Sequence, residues 1–217
     1  MPEPNYPVEL TPPDIEPYRT GNTGVEYVTT FDSGAAGPHV LVTALTHGNE
    51  ICGALVVDRL LREGLRPTRG TLTLAFNNVA AFGRFDPRNP YASRFVDEDF
   101  NRVWTRETLD GPRRSAELSR ARQIRPFVEA ADFLLDIHSM LEPSPPVMIC
   151  GPLEKGIRFA FDIGIPAMIA SASEASSRLR NGFSLTTVTR RMIPMTAPSA
   201  VRRRKTLCGS IIGSLAL

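Results

Sequence analysis

The amino-acid sequence predicts an α/β fold in which a mixed, largely parallel sheet is flanked by helices. Short apolar segments typical of buried strands alternate with segments whose apolar residues recur at helical spacing. The length of 217 residues, of which 42% are hydrophobic, allows the core of a single domain to be buried.

The first half of the chain is predicted to contain three strands and a helix. Residues 1–24 hold repeated proline and glycine, which favour extended or turning backbone, and we expect an irregular N-terminal arm there. Alternating polarity from Val25 predicts an edge strand, and the apolar run 39–45 predicts a buried one. Helical spacing of apolar residues over 49–63 predicts a helix, and 71–76 predicts a third strand.

The second half is predicted to repeat the alternation of strand and helix. Residues 83–100 are rich in Arg, Asp, Asn and Pro, so we expect an exposed polar loop that could bind a ligand. Pro112 predicts the start of a helix running to Ala130. The remaining predicted elements are strands at 133–138, 146–150 and 165–170 and a helix at 154–163.

Composition gives no reason to expect a nucleic acid or a membrane as partner. The formal net charge is only +2, and counterion release and surface attraction need clustered lysine and arginine. The N-terminal residues lack the basic cap and apolar run of a signal peptide, and no apolar stretch approaches bilayer length. We therefore expect a cytoplasmic protein, and nothing in the sequence contradicts a homo-oligomer.

Residues 175–217 differ in composition from the rest of the chain. They carry 8 Lys and Arg and no acid, whereas residues 1–174 carry 17 Lys and Arg against 23 Asp and Glu. We predict that the α/β domain extends over 25–174 and that 175–217 is an atypical basic tail. Two explanations stay open: a reading-frame shift near 175–185, which we favour, or a natural short variant whose tail binds an acidic partner.

Three residues form a candidate metal site. His47 and Glu50 lie three residues apart in the segment THGNE, directly after a predicted buried strand. His138 ends another predicted strand, and the carboxyl ends of strands line the ligand crevice of open α/β sheets. Two imidazoles and one carboxylate suit a single zinc ion and leave its fourth position to water.

A purely structural interpretation of the same residues stays open. His47 could cap a loop, Glu50 could be an acid favoured by the helix dipole, and His138 could be a hydrogen-bonded core histidine. His39 has no acid at metal spacing, and we predict a structural role for it. Asp136 shares a strand face with His138, so its carboxylate either orients that imidazole or binds backbone groups.

Three motifs carry a family resemblance. THGNE at 46–50, RFVDEDFNRVW at 94–104 and LLDIHS at 134–139 resemble the signatures of the succinylglutamate desuccinylase/aspartoacylase family. Their order and spacing also agree, over roughly residues 38–170, and three ordered motifs are far more specific than one.

The resemblance implies a zinc-dependent amidohydrolase, or deacylase, with a zinc-carboxypeptidase-like fold. His47, Glu50 and His138 are then the ligands of one zinc ion, and the substrate is an N-acyl amino acid or a related small amide or ester. A metal-activated water would attack the acyl carbonyl, with a glutamate as general base.

The resemblance also implies a site for the substrate's carboxylate. In the family's D-x-N-R motif the Asn and Arg hold this group, and here they are Asn101 and Arg102. A guanidinium fork beside an amide donor suits such an anion. Arg94, in the same polar loop, is a further candidate.

The sequence departs from the family pattern at the general base. The family's glutamate lies in an E-x-G segment on a later strand, and no such segment follows Ala170. Glu174 is the last acid of the chain and a weak candidate, since its surroundings favour a strand poorly. The alternative function is therefore a catalytically impaired zinc-binding or substrate-binding domain.

Overall fold

The computed structural model describes residues 8–139, 147–150 and 154–163, and the backbone of three further strands at 168–172, 185–189 and 211–212. The chain forms two compact units, of which one ends at Ser139 and the other begins at Met140. All side chains of the candidate site that the structure describes lie in the first unit.

The first unit is built on four strands. Its strands are β1 (Val28–Asp32), β2 (His39–Ala44), β3 (Thr71–Phe76) and β4 (Phe133–Ile137), and its helices are α1 (Ile51–Arg62), α2 (Val79–Phe82), α3 (Arg106–Asp110) and α4 (Ala116–Ala130). The strand order is β1-β3-β2-β4. Strand β2 is parallel to both β3 and β4, while β1 runs antiparallel to β3 at the edge.

Both faces of this sheet are covered. On one face, Val42 of β2 packs in a cluster with Val57 of α1. On the other face, Leu41 packs with Ile124 of α4. Because successive side chains of a strand point to opposite faces, a strand buried on both sides is apolar almost throughout, as the run 39–45 is.

The second unit contains β5 (Val147–Cys150), α5 (Glu154–Ile163), β6 (Met168–Ala172), β7 (Leu185–Thr189) and β8 (Ile211–Ile212). Its strand order is β8-β5-β6-β7, with β5 parallel to β6 and β8 and with β7 antiparallel to β6. The predicted fold class, a mixed and largely parallel sheet flanked by helices, is confirmed.

Several elements differ from the prediction in their bounds, and the structure shows why at two of them. Strand β1 begins at Val28 because Tyr27 has a φ of 59°, which no extended strand accommodates. The helix predicted from Pro112 begins only at Ala116, where the Ser115 hydroxyl accepts a hydrogen bond from Leu118 N at 2.9 Å. The short helix α3, capped by Thr105, was not predicted.

The predicted basic tail lies largely outside the described residues. Between 175 and 217 the structure describes only the two short strands β7 and β8. Within the described part of the chain, no helix combines the length and the apolar character needed to cross a bilayer.

Candidate metal centre

The three predicted ligands come from two loops at one edge of the first sheet. His47 and Glu50 lie between β2 and α1, and His138 directly follows β4. In the parallel pairing of these strands Ala44 lies opposite Ile137, so both loops leave the sheet at the same level. The carboxyl ends of adjacent parallel strands thus place distant residues side by side, as the sequence predicts.

The turn into the first loop requires an unusual backbone. Leu45, at the end of β2, has a φ of 62° in the left-handed region, which costs a residue with a Cβ about 1–2 kcal/mol. The Leu45 carbonyl accepts a hydrogen bond from Asn78 N at 2.8 Å, and the buried side chain of Leu45 packs in the core. Core packing and this hydrogen bond therefore stabilise a strained residue two positions before His47.

Glycine is required at two positions beside the ligands. A Cβ on Gly48 would lie 2.4 Å from the Ser93 carbonyl oxygen, and one on Gly53 would lie 2.6 Å from the Ile137 carbonyl oxygen. Because glycine has no side chain, the loop that carries Gly48 can approach Ser93, and α1 can approach the end of β4 at Gly53. A larger residue at either position would prevent this approach.

His47, Glu50 and His138 converge on one another. Nδ1 of His47 lies 2.6 Å from Glu50 Oε1, and Nδ1 of His138 lies 2.7 Å from Glu50 Oε2. One ligand atom from each residue lies within 4.8 Å of the other two, and all three residues are buried. The structure therefore brings together every residue predicted as a metal ligand.

The protonation of this cluster follows from its charges. Burial lowers the pKa of His138, but Asp136 and Glu50 outweigh burial and raise it to about 10. At His47, burial also lowers the pKa, but Asp99 and Glu50 together outweigh burial and raise it. Burial raises the pKa of Glu50, but its interactions with His138 and His47 outweigh burial and lower it. The cluster thus favours positive charge around an ionised carboxylate, and a divalent cation could replace those protons.

A carboxylate stands behind each histidine. Asp136 Oδ2 lies 2.6 Å from His138 Nε2, and Asp99 Oδ1 lies 3.1 Å from His47 Nε2. Of the two roles predicted for Asp136, the contact with the imidazole is the one found. Sequence reasoning missed the role of Asp99, although it opens the D-x-N-R motif.

Two of the three predicted substrate-binding residues reach the cluster. Arg94 Nη2 lies 3.0 Å from His47 Nε2 and 3.5 Å from Asp99 Oδ2, and Asn101 Nδ2 lies 3.4 Å from the same histidine nitrogen. Arg102 is exposed, and the one side-chain hydrogen bond that it makes among the described residues goes to the carbonyl of Asn101 at 3.5 Å. Glu174 lies outside the described residues.

The loop that carries Arg94 and Asn101 is held by a buried carboxylate. Glu117 of α4 is fully buried and accepts hydrogen bonds from the backbone N–H groups of residues 96, 97 and 98, at 2.6 to 3.3 Å. It also accepts one from the Asn78 side chain at 2.9 Å. A glutamate at this helical position gave no sequence signal of such a role.

His39, for which a structural role was predicted, is hydrogen-bonded within the sheet. Its Nε2 lies 2.8 Å from the Thr73 hydroxyl, and its Nδ1 lies 3.2 Å from the Ala130 carbonyl oxygen. These bonds join strand β2 to β3 and to the end of α4.

Comparison with known proteins identifies the family. The model of the succinylglutamate desuccinylase/aspartoacylase catalytic domain matches residues 36–196. The chain belongs to this family. The match confirms the resemblance carried by the three motifs.

Curated relatives of the family match shorter stretches. An N-acyl-aromatic-L-amino acid amidohydrolase (carboxylate-forming) from Rattus norvegicus is 30% identical over 112 residues, or 46% of this chain and 33% of the rat protein. A probable aspartoacylase from Parasynechococcus marenigrum is 38% identical over 85 residues, or 39% of this chain and 26% of that protein. The chain therefore spans about a third or less of the length of these relatives.

Among solved structures, murine aminoacylase 3 has the same fold. It matches with a TM-score of 0.50 and 19% identity, covering 84% of this chain and 56% of the murine one. At that identity the similarity shows the desuccinylase/aspartoacylase fold and carries nothing about substrate.

Proposed function

We propose that the chain is a zinc-dependent hydrolase of N-acyl amino acids or related small amides and esters. The convergence of His47, Glu50 and His138, beside the cationic Arg94, is the observation that carries this proposal. Family membership supports it, because relatives are named as amidohydrolases of N-acyl amino acids and as aspartoacylases.

The donor set fits zinc. Two imidazole nitrogens and one carboxylate oxygen are ligands that catalytic zinc sites use, with a further position left for water or substrate. Glu50 Oε2 is buried and, among the described residues, accepts no hydrogen bond of proper geometry, so a cation would stabilise its charge. When bound, zinc supplies a Lewis acid that polarises a carbonyl and lowers the pKa of water.

Arg94 and Asn101 supply donors for the substrate's carboxylate. The guanidinium of Arg94 lies 3.7 Å from Glu50 Oε1 and 3.5 Å from Asp99 Oδ2, so neighbouring carboxylates hold it at the cluster. The Asn101 amide lies on the same side of His47. An arginine fork with an adjacent amide would bind and orient a carboxylate there, and Arg102 joins this proposal on the motif alone.

Among the described residues, the acids behind the two histidines are unsuited to act as the general base. Glu174 remains our candidate, although it lies outside the described residues. Asp99 and Asp136 each engage a histidine, and hydrogen bonding to His47 holds the pKa of Asp99 well below its usual range, which makes it a poor base. This observation favours the second candidate function, a zinc-binding or substrate-binding domain with impaired catalysis.

Metal content and turnover together test the proposal. Purified full-length chain is expected to hold about one equivalent of zinc by mass spectrometry, and His47→Ala much less. Zinc-loaded protein is then assayed for hydrolysis of N-acyl derivatives of aromatic and acidic amino acids, with His47→Ala as the control.

The outcomes separate the two candidate functions. Zinc binding with hydrolysis above the His47→Ala level supports the hydrolase. Zinc binding without such hydrolysis rejects the hydrolase and leaves the binding domain. The absence of zinc from the wild-type chain rejects both the zinc-dependent hydrolase and a zinc-binding domain.

A further inference from the structure

A buried chain of polar side chains extends from His138 through Asp136. Asp136 lies 2.6 Å from His138 Nε2, and the same Oδ2 accepts a hydrogen bond from the Thr46 hydroxyl at 2.7 Å. The other carboxylate oxygen accepts one from the Thr43 hydroxyl at 2.6 Å. The Thr46 hydroxyl in turn accepts from the side-chain amide of Asn77 at 3.0 Å, and every member is buried.

The direction of these hydrogen bonds is fixed by chemistry. A carboxylate oxygen can only accept, so the single proton of the Thr46 hydroxyl points to Asp136, and the Thr46 oxygen accepts from the Asn77 amide nitrogen. If the Asn77 amide were flipped, its oxygen would face the Thr46 oxygen without a proton between them, because the Thr46 proton is donated to Asp136. Asp136 therefore receives donors at both oxygens and is held as a carboxylate.

Asn77 is anchored independently of the site. It directly follows β3, its backbone N–H donates to the Ala44 carbonyl at 2.8 Å, and its own carbonyl accepts from Arg120 Nε at 2.8 Å. The guanidinium of Arg120 is buried and also donates to the Phe76 carbonyl at 2.7 Å. The amide of Asn77 thus approaches Thr46 from a rigid position.

We infer that Thr46 and Asn77 are positioning residues for the metal ligand His138. Through Asp136 they keep the proton of the neutral imidazole on Nε2, so that the Nδ1 lone pair faces Glu50 and is available to a metal ion. This inference rests on the proposed function, because it assigns the two residues to the same metal centre.

Zinc affinity tests the inference directly. We compare the full-length wild type with Thr46→Val, which keeps the shape and removes the hydroxyl, and with Asn77→Ala, using competition against a chromophoric chelator. The dissociation constant for zinc is expected to rise about 10- to 100-fold in both variants, the effect typical of residues that orient a ligand. Thr46→Ser restores the hydroxyl and is expected to restore most of the affinity.

A matched control separates positioning from loss of a buried hydroxyl. Thr73, on the neighbouring strand β3, is fully buried, and its hydroxyl contacts Thr30 and His39, both at 2.8 Å, rather than Asp136. Thr73→Val is therefore expected to bind zinc as the wild type does. In ¹⁵N spectra of the zinc-loaded wild type, Nε2 of His138 is expected to carry a slowly exchanging proton that exchanges faster in Thr46→Val.

The outcomes distinguish this inference from the proposed function. If His138→Ala loses zinc while Thr46→Val and Asn77→Ala bind it within about twofold of the wild type, well below the usual effect, the inference is wrong and the metal site stands. A wild type without zinc overturns both. If Thr46→Val does not fold by circular dichroism, Asn77→Ala decides, and unchanged affinity there overturns the inference.

Discussion

At the scale of single residues, Glu50 connects the two halves of the candidate centre. Each of its carboxylate oxygens faces a different histidine. One of these histidines lies in the loop before α1, and the other directly follows β4. Its buried charge therefore offsets the positive charge that the cluster favours.

Replacing Glu50 by glutamine tests this role. The amide keeps the size of the side chain and removes its charge, so we expect zinc affinity to fall more than about 100-fold, beyond the loss typical of residues that only orient a ligand. The chelator competition assay measures the change. Glu63→Gln, an exposed change at the end of α1, is the control, and equal losses in both variants would contradict a ligand role for Glu50.

Gly53 gives a second prediction at this scale. A Cβ added at this position would lie 2.6 Å from the Ile137 carbonyl oxygen, so Gly53→Ala must push α1 away from β4. We expect the variant to be less stable than the wild type by about 1–3 kcal/mol. Urea unfolding measures the loss. Gly83→Ala is the matched control, because the atom nearest to its Cβ lies 3.5 Å away, and equal stability of the two variants would refute the steric argument.

At the scale of elements, α4 holds the loop that carries Arg94 and Asn101. The helix contributes a buried carboxylate, Glu117, whose acceptors bind three consecutive backbone N–H groups of that loop. Burial raises the pKa of Glu117, but these hydrogen bonds and that of Asn78 outweigh burial and lower it.

Glu117→Gln is expected to destabilise the protein by about 2 kcal/mol or more at neutral pH. A charged carboxylate accepts hydrogen bonds more strongly than a neutral amide, and one side-chain oxygen cannot serve all the buried N–H groups that Glu117 binds. A glutamate whose pKa is lowered on folding stabilises the folded state at pH values above its unfolded pKa of about 4.3. This contribution is lost as the pH falls through the folded pKa. The difference between variant and wild type should therefore shrink below about pH 4, in urea unfolding at several pH values.

The control for this prediction lies on the same helix. Glu129 is exposed and pairs with Arg125, so Glu129→Gln is expected to change stability by less than about 0.5 kcal/mol. Hydrogen exchange at residues 96–98 should quicken in Glu117→Gln alone. Unchanged exchange there would show that the loop is held by other contacts.

At the scale of the whole molecule, the general base is the part of the proposed hydrolase that the described residues do not supply. If Glu174 is that base, Glu174→Gln should lower kcat by about 100- to 10,000-fold with unchanged zinc content. Glu154→Gln is the control, since Glu154 is exposed on α5 and pairs with Arg158. Unchanged kcat in Glu174→Gln would exclude it as the base.

The predicted basic tail raises a separate question about the whole chain. A reading-frame shift near residues 175–185 stays our proposal for the abrupt change in charge. Independent sequencing of the gene through this region tests it, and an uninterrupted frame would leave the natural short variant with a basic tail.

The family and the candidate ligands could be predicted because their signals are local. Strand ends, a turn and a helix start are encoded by neighbouring residues in THGNE and LLDIHS, and parallel pairing then brings those strand ends together. Two predicted boundaries were wrong. The start of β1 depends on the left-handed backbone of Tyr27, and the start of α4 depends on a choice between Pro112 and Ser115 as the point where the helix begins. The periodicity of apolar residues resolves neither.

The sequence by itself thus determined the fold class, the family and the set His47, Glu50 and His138. Only the tertiary structure decided which polar groups support them: Asp99 on His47, Glu117 on the loop at 96–98, and Thr46 on Asp136. The physical reason is that these bonds join residues 52, 21 and 90 positions apart. Periodicity encodes which face of an element is buried, whereas the pairing of buried donors and acceptors is fixed only when the elements pack.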